Sequence, residues 1–67
     1  MITAKTGDTV YRYFGTELIS SMRLIVTDVT DFDIICGDYT FSKETGYEID
    51  DFLGWNDSYS GSYIKNN

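Results

Sequence analysis

The sequence predicts an all-β domain, and three observations carry that reading. β-Branched and aromatic residues recur in short runs separated by Gly, Asp, Asn and Ser, and no stretch sustains a helical apolar period across three turns. The chain also contains no proline, so no candidate strand lacks a ladder donor.

The first strand is TVYRYF, residues 9–14, entered through a turn at Gly7 and Asp8. Alternation sets Val10, Arg12 and Phe14 on one face and Tyr11 and Tyr13 on the other, so a twist or bulge must reassign one of them. GTELISS, residues 15–21, reads as a loop or as the start of a short helical turn, with Leu18 and Ile19 covering one end of the core. The longest strand is MRLIVTDV, residues 22–29, with Met22, Leu24 and Val26 facing in. After a turn at Thr30 and Asp31, FDIIC aligns Phe32, Ile34 and Cys36. Beyond Gly37 and Asp38, YTFS aligns Tyr39 and Phe41.

Residues 43–46, Lys-Glu-Thr-Gly, fit a type I turn closed by a glycine with positive φ, a common hairpin connection. Tyr47 and Ile49 then return on the core face and Glu48 on the other. Residues 50–55 read as one helical turn, capped by an aspartate and ended by Gly54. The polar tail closes with a short strand, SYIK, at residues 62–65, while residues 1–6 and 66–67 are expected to fray.

Sixty-seven residues make one domain, and so short a chain buries only about 60% of the surface it exposes when unfolded. A deep substrate cavity is not expected, and the aromatic residues, 16% of the chain, must supply much of the core. Histidine is absent and Cys36 is the single cysteine, which removes thiol–imidazole and serine–imidazole catalysis and the usual zinc sites. Within FDIIC, Cys36 reads as a buried, inert thiol. No disulfide framework, secretory leader or long apolar run is present, so a soluble cytoplasmic protein with no membrane association is expected.

Eleven acidic residues against five basic ones give a net charge of -6. That sign opposes direct binding to nucleic acid, since phosphate contacts need Lys and Arg, and it suits a partner with a basic surface.

The order Gly7-Asp8-x-Val10-Tyr11, a loop, a long strand with its hairpin partner, Phe41-x-x-x-Thr45-Gly46-x-Glu48, Trp55 and Ser62-Tyr63-Ile64 resembles the small SH3-like β-barrel proteins scattered through bacteriophage genomes. The resemblance spans residues 7–64 and rests on turn and core signatures. It implies a strongly bent five-stranded barrel, to which the residues themselves add one short helical turn. It also implies an accessory protein, made in infected bacteria, that binds and disables a host enzyme. Similar barrels that bind nucleic acid carry basic loops, and this chain has aspartates there.

Paired carboxylates for glycoside hydrolysis need a desolvated acid, which a chain this short offers little concavity to build. Asp28, Asp31 and Asp33, and likewise Asp50, Asp51 and Asp57, lack the alternating spacing of a calcium loop. Tyr11, Tyr13, Tyr59 and Tyr63 would suit a stacking platform, but the chain has few cations to surround one. No enzymatic activity, cofactor or metal is therefore expected. The favoured site is an acidic rim of Asp31, Asp33, Asp50, Asp51 and Asp57 around Trp55 and Tyr59. Such a rim would grip a basic, nucleic-acid-handling host protein or defence complex, in the manner of an anti-CRISPR or anti-restriction protein, with carboxylates standing in for phosphates. The alternative is an assembly module that forms homo-oligomers through a sheet edge or aromatic face.

Overall fold

The computed structural model describes residues 1–15 and 17–66, with residues 17–21 described by their backbone alone. Seven short strands form two antiparallel sheets: β1 (Thr9–Phe14), β2 (Glu17–Ile25), β3 (Asp28–Val29), β4 (Asp33–Cys36), β5 (Tyr39–Ser42), β6 (Glu48–Ile49) and β7 (Ser62–Tyr63). Sheet A has the order β2-β1-β7 and sheet B the order β3-β4-β5-β6.

The sheets join where the long predicted strand changes partner. The Val26 amide donates to the Asp8 carbonyl at 2.9 Å, on the β1 side, whereas the Thr27 amide donates to the Ile35 carbonyl of β4 at 2.8 Å. The run expected to be one strand over residues 22–29 therefore ends in sheet A at Ile25 and resumes as β3 in sheet B, a corner that lets both sheets face one core. A second link is the backbone bridge between Tyr47 and Tyr63. In place of the expected strongly bent five-stranded barrel there are two antiparallel sheets that do not close, because β7 pairs along only two residues and meets sheet B at one bridge.

The core lies between the sheets. Val26, Ile34, Phe41 and Ile64 are almost wholly buried, with Ile2, Val10 and Cys36 beside them. Each large apolar side chain taken from water contributes about 1.5 to 3 kcal/mol. Val10, Ile34, Cys36 and Phe41 occupy the inward positions predicted for them.

Several expectations are corrected. The segment predicted as a loop or helical turn at residues 15–21 is largely strand, because residues 17–21 belong to β2 and pair back along β1; the register shifts between Tyr13, opposite Ser21, and Phe14, opposite Glu17, so the irregularity expected in β1 has its extra residues on β2. The proposed covering role of Leu18 and Ile19 lies outside the described side chains. Met22 is exposed instead of inward. Phe32 does not share the face of Ile34. It sits in a tight turn, where the Thr30 amide donates to the Asp33 carbonyl at 2.9 Å and Thr30 Oγ1 accepts from the Asp33 amide at 2.9 Å, and its ring is 80% exposed.

The expected helical turn at residues 50–55 is absent. The Asp50 and Trp55 backbones exchange two hydrogen bonds, at 3.0 and 2.9 Å, and close a hairpin tip over residues 51–54. Asp50 does cap locally, with Oδ1 accepting from the Leu53 amide at 3.1 Å. A helix had no apolar stripe to bury here, since Phe52 is 96% exposed.

The termini are tied down. The Ile2 amide donates to the Lys43 carbonyl at 2.7 Å, and Asn66 links the chain ends by accepting from the Thr3 amide at 2.9 Å and donating to the Met1 carbonyl at 2.8 Å. At Gly46, φ is +83° and a Cβ would collide with the Ile64 carbonyl oxygen, so the glycine predicted to close this turn also admits the C-terminal segment.

Candidate functional site

On a sheet with a buried face, alternate residues necessarily face outward. In sheet B, Ile34 pairs with Phe41 and Phe41 with Glu48 on the inward side, leaving Asp28, Asp33, Ile35, Thr40 and Ile49 on the outer face, where Ser42 is covered by its neighbours. There the turn carrying Phe32 and the segment after Trp55 enclose an open groove of about 420 Å³. Asp31, Asp33, Glu44 and Asp57 line it with Phe32, opposed by Lys43 and by Met1, which bears the terminal ammonium. Backbone turns hold these carboxylates. Thr30 fixes the turn ahead of Asp33, and Asn56 Oδ1 accepts from the Ser58 and Tyr59 amides at 2.8 and 3.0 Å, which fixes the loop bearing Asp57.

The structure thus brings together three of the seven predicted site residues, Asp31, Asp33 and Asp57. The others lie elsewhere. Asp50 caps the hairpin tip, and Asp51 is exposed on it. Trp55 is half-buried and rests on Gly61, where a Cβ would come within 2.8 Å of the indole. Tyr59 is exposed at the end of the Asn56 turn. Sequence reasoning missed Phe32 and Glu44. Phe32 looked like core because it precedes an alternating run, and Glu44 looked like a turn residue, which it is.

A buried ion pair lies in the interior between the sheets. Glu48 was expected to face outward, but its partner across the strand is Phe41, so it points into the core. Arg12 of β1 donates to Glu48 Oε1 through Nε at 2.8 Å and Nη2 at 2.7 Å, and its guanidinium lies 4.3 Å from the Phe14 ring centre and 4.7 Å from that of Tyr39. This pair connects sheet A to sheet B. A buried charge is tolerated when paired in this way, and removing either partner strands the other. The sequence signal was the lone arginine on the inward side of TVYRYF, which required an acid opposite it.

Cys36 is buried, and loss of solvent pushes its thiol pKa up, which keeps it protonated and unreactive. Among the described residues no cluster of three potential ligands could hold a metal ion, and no helix is long and apolar enough to cross a membrane. Comparison of the chain with protein-family models, curated proteins and solved structures finds no match.

Proposed function

We propose that this chain is a small non-enzymatic protein that docks through the acidic groove of sheet B onto a basic surface of a nucleic-acid-handling protein and blocks it. The observation that carries the reading is the convergence of Asp31, Asp33, Glu44 and Asp57 around an exposed phenylalanine. Carboxylates speed encounter with a basic surface, and an aromatic anchor desolvated in the complex slows its departure. The partner is a host defence nuclease or guide complex, met in the cytoplasm of an infected bacterium, and the protein derives from a phage or mobile element. The corner at Val26 and Thr27 and the Tyr47–Tyr63 bridge support reading the two sheets as halves of a small, incompletely closed SH3-like barrel.

The test is a titration of purified restriction and guide–nuclease complexes with this protein at about 50 and about 300 mM salt, over which the screening length shortens about 2.4-fold. Association should weaken as salt rises and weaken again in the triple variant Asp31→Asn, Asp33→Asn, Asp57→Asn. Binding indifferent to both would sink the electrostatic mechanism.

A second reading, an assembly module, is favoured by one specific observation. Strand β2 pairs only with β1, so Met22, Arg23 and Ile25 lie on an exposed sheet edge. A concentration-dependent dimer insensitive to salt would support it.

A further inference from the structure

Four of the six tyrosines belong to one outward surface. Tyr11 and Tyr13 alternate with buried Val10 and Arg12 and so face away from the core. Residues directly opposite one another on antiparallel strands share a face. Tyr63 lies opposite Tyr13, Tyr47 opposite Tyr63, and Arg23 opposite Tyr11. The Tyr13 and Tyr63 rings stack with centres 5.6 Å apart, and Lys65 Nζ sits 4.9 Å from the Tyr13 ring centre. Among the described side chains on the outward positions of sheet A, residues 9, 11, 13, 23, 25 and 63, none is a carboxylate.

We propose that this surface is a stacking platform for single-stranded nucleic acid, in which the tyrosine rings take unstacked bases and Arg23 and Lys65 take phosphates. The solvated face of an antiparallel sheet is ordinarily polar, and a row of aromatic rings there needs a reason. Neighbouring strands stand about 4.8 Å apart and alternate residues along a strand about 6.8 Å apart, so the row offers successive bases adjoining flat surfaces. Aromatic rings flanked by Arg23 and Lys65 complement an anionic polymer that carries flat faces, and the acidic residue Asp8 shares a cavity with Lys65. The total charge of -6 argues against nucleic acid only while it is treated as spread evenly. In the folded chain Asp31, Asp33, Glu44 and Asp57 gather in the groove beside sheet B, so the charge is not spread evenly, and the screening length is about 8 Å at physiological salt.

The inference is independent of the protein-partner reading, and one set of variants separates them. Fluorescence anisotropy of the intact protein with a labelled oligo-dT of about 12 nucleotides, a length within the usual site sizes, is compared with a duplex of equal length. The single strand should bind at low salt and the duplex at least about tenfold more weakly. Tyr11→Ala should cost about fivefold or more. Arg23→Gln with Lys65→Gln should reduce the slope of log affinity against log salt by about 1.4, the share of two phosphate contacts. These three residues are exposed, so thermal melts matching the unaltered protein will confirm that the variants fold. The triple Asp→Asn variant of the groove should bind the oligonucleotide as well as before or better. The proposal is overturned by no binding at low salt, by equal affinity for duplex and single strand, or by indifference to Tyr11→Ala. It is equally overturned if Tyr11 instead mediates a dimer of the chain with no oligonucleotide bound.

Discussion

The outward surfaces of the two sheets are produced by the same backbone alternation yet carry opposite chemistry. Sheet A presents Tyr11, Tyr13 and Tyr63 with Arg23 and Lys65. Sheet B presents Asp28 and Asp33 and, with its flanking turns, a groove bearing Asp31, Glu44 and Asp57. Tyr47 marks the seam, bridged to Tyr63 on one side and hydrogen-bonded to Ser42 of β5 on the other. Net charge is therefore a poor guide to what such a small domain touches, because contact is governed by the few residues on one face. Beneath both faces lies one interior, tied across the sheets by Arg12 and Glu48.

The strongest way to break the contrast is to remove that tie. Glu48→Ala leaves Arg12 buried and unpaired and should cost about 3 to 5 kcal/mol, a large share of the stability of so small a domain. In a denaturant melt both faces should be lost together. Replacing the pair by apolar residues, Arg12→Met with Glu48→Leu, should cost far less, and equal losses in the two variants would show that the charges are not what joins the sheets. Next in size is Gly46→Ala, which combines positive φ with a collision at Ile64 and should cost about 2 to 4 kcal/mol by the same melt. It acts at the seam, so binding at the sheet A surface should suffer even where the chain remains folded.

A smaller effect concerns Cys36. Its pKa in the folded chain lies above the ordinary value of 9.0 because burial disfavours the thiolate. As pH rises past that value the unfolded chain ionises first, so stability should fall there by at most about 1.4 kcal/mol per pH unit. Below it the thiol is protonated in both states and the contribution vanishes. Comparing Cys36→Ala with the unaltered chain isolates this slope. At neutral pH, labelling of Cys36 governed by the global unfolding free energy would mean that the sheets open as one unit, whereas faster labelling would mean that β4 and its neighbours open alone. Smallest in stability are the groove substitutions at Asp31, Asp33 and Asp57, expected within about 0.5 kcal/mol. Their effect belongs to partner binding at low salt.

Much of the fold was legible. Alternation located β1, β4 and β5 and most of their inward residues, and the glycine demanded by the turn at residues 43–46 is indeed at positive φ. Phase errors account for the failures. Tyr47 and Ile49 are the apolar members of their run and so suggest the core, but a one-residue shift of face exchanges every side chain, and pairing with β5 gives the interior to Glu48. Phe32 was misplaced because alternation continues formally across a turn while the backbone does not. The candidate rim was partly legible: Asp31 and Asp33 are close in sequence, but nothing local announces that Asp57 joins them or that Asp50 is occupied in capping.

Residue type alone specifies an all-β chain without the groups for the usual zinc, disulfide or imidazole chemistry, and most of its turns, because it limits backbone conformation and available chemistry locally. Tertiary pairing was needed to set where strand β2 ends and β3 begins, to pin the chain termini, to bring Arg12 to Glu48 across 36 positions, and to gather Tyr11, Tyr13 and Tyr63 on sheet A while Asp28 and Asp33 lie on sheet B. Each of these depends on which strand lies beside which. Pairing between distant segments is settled by burying one common core, and that condition is not written in any single stretch of chain.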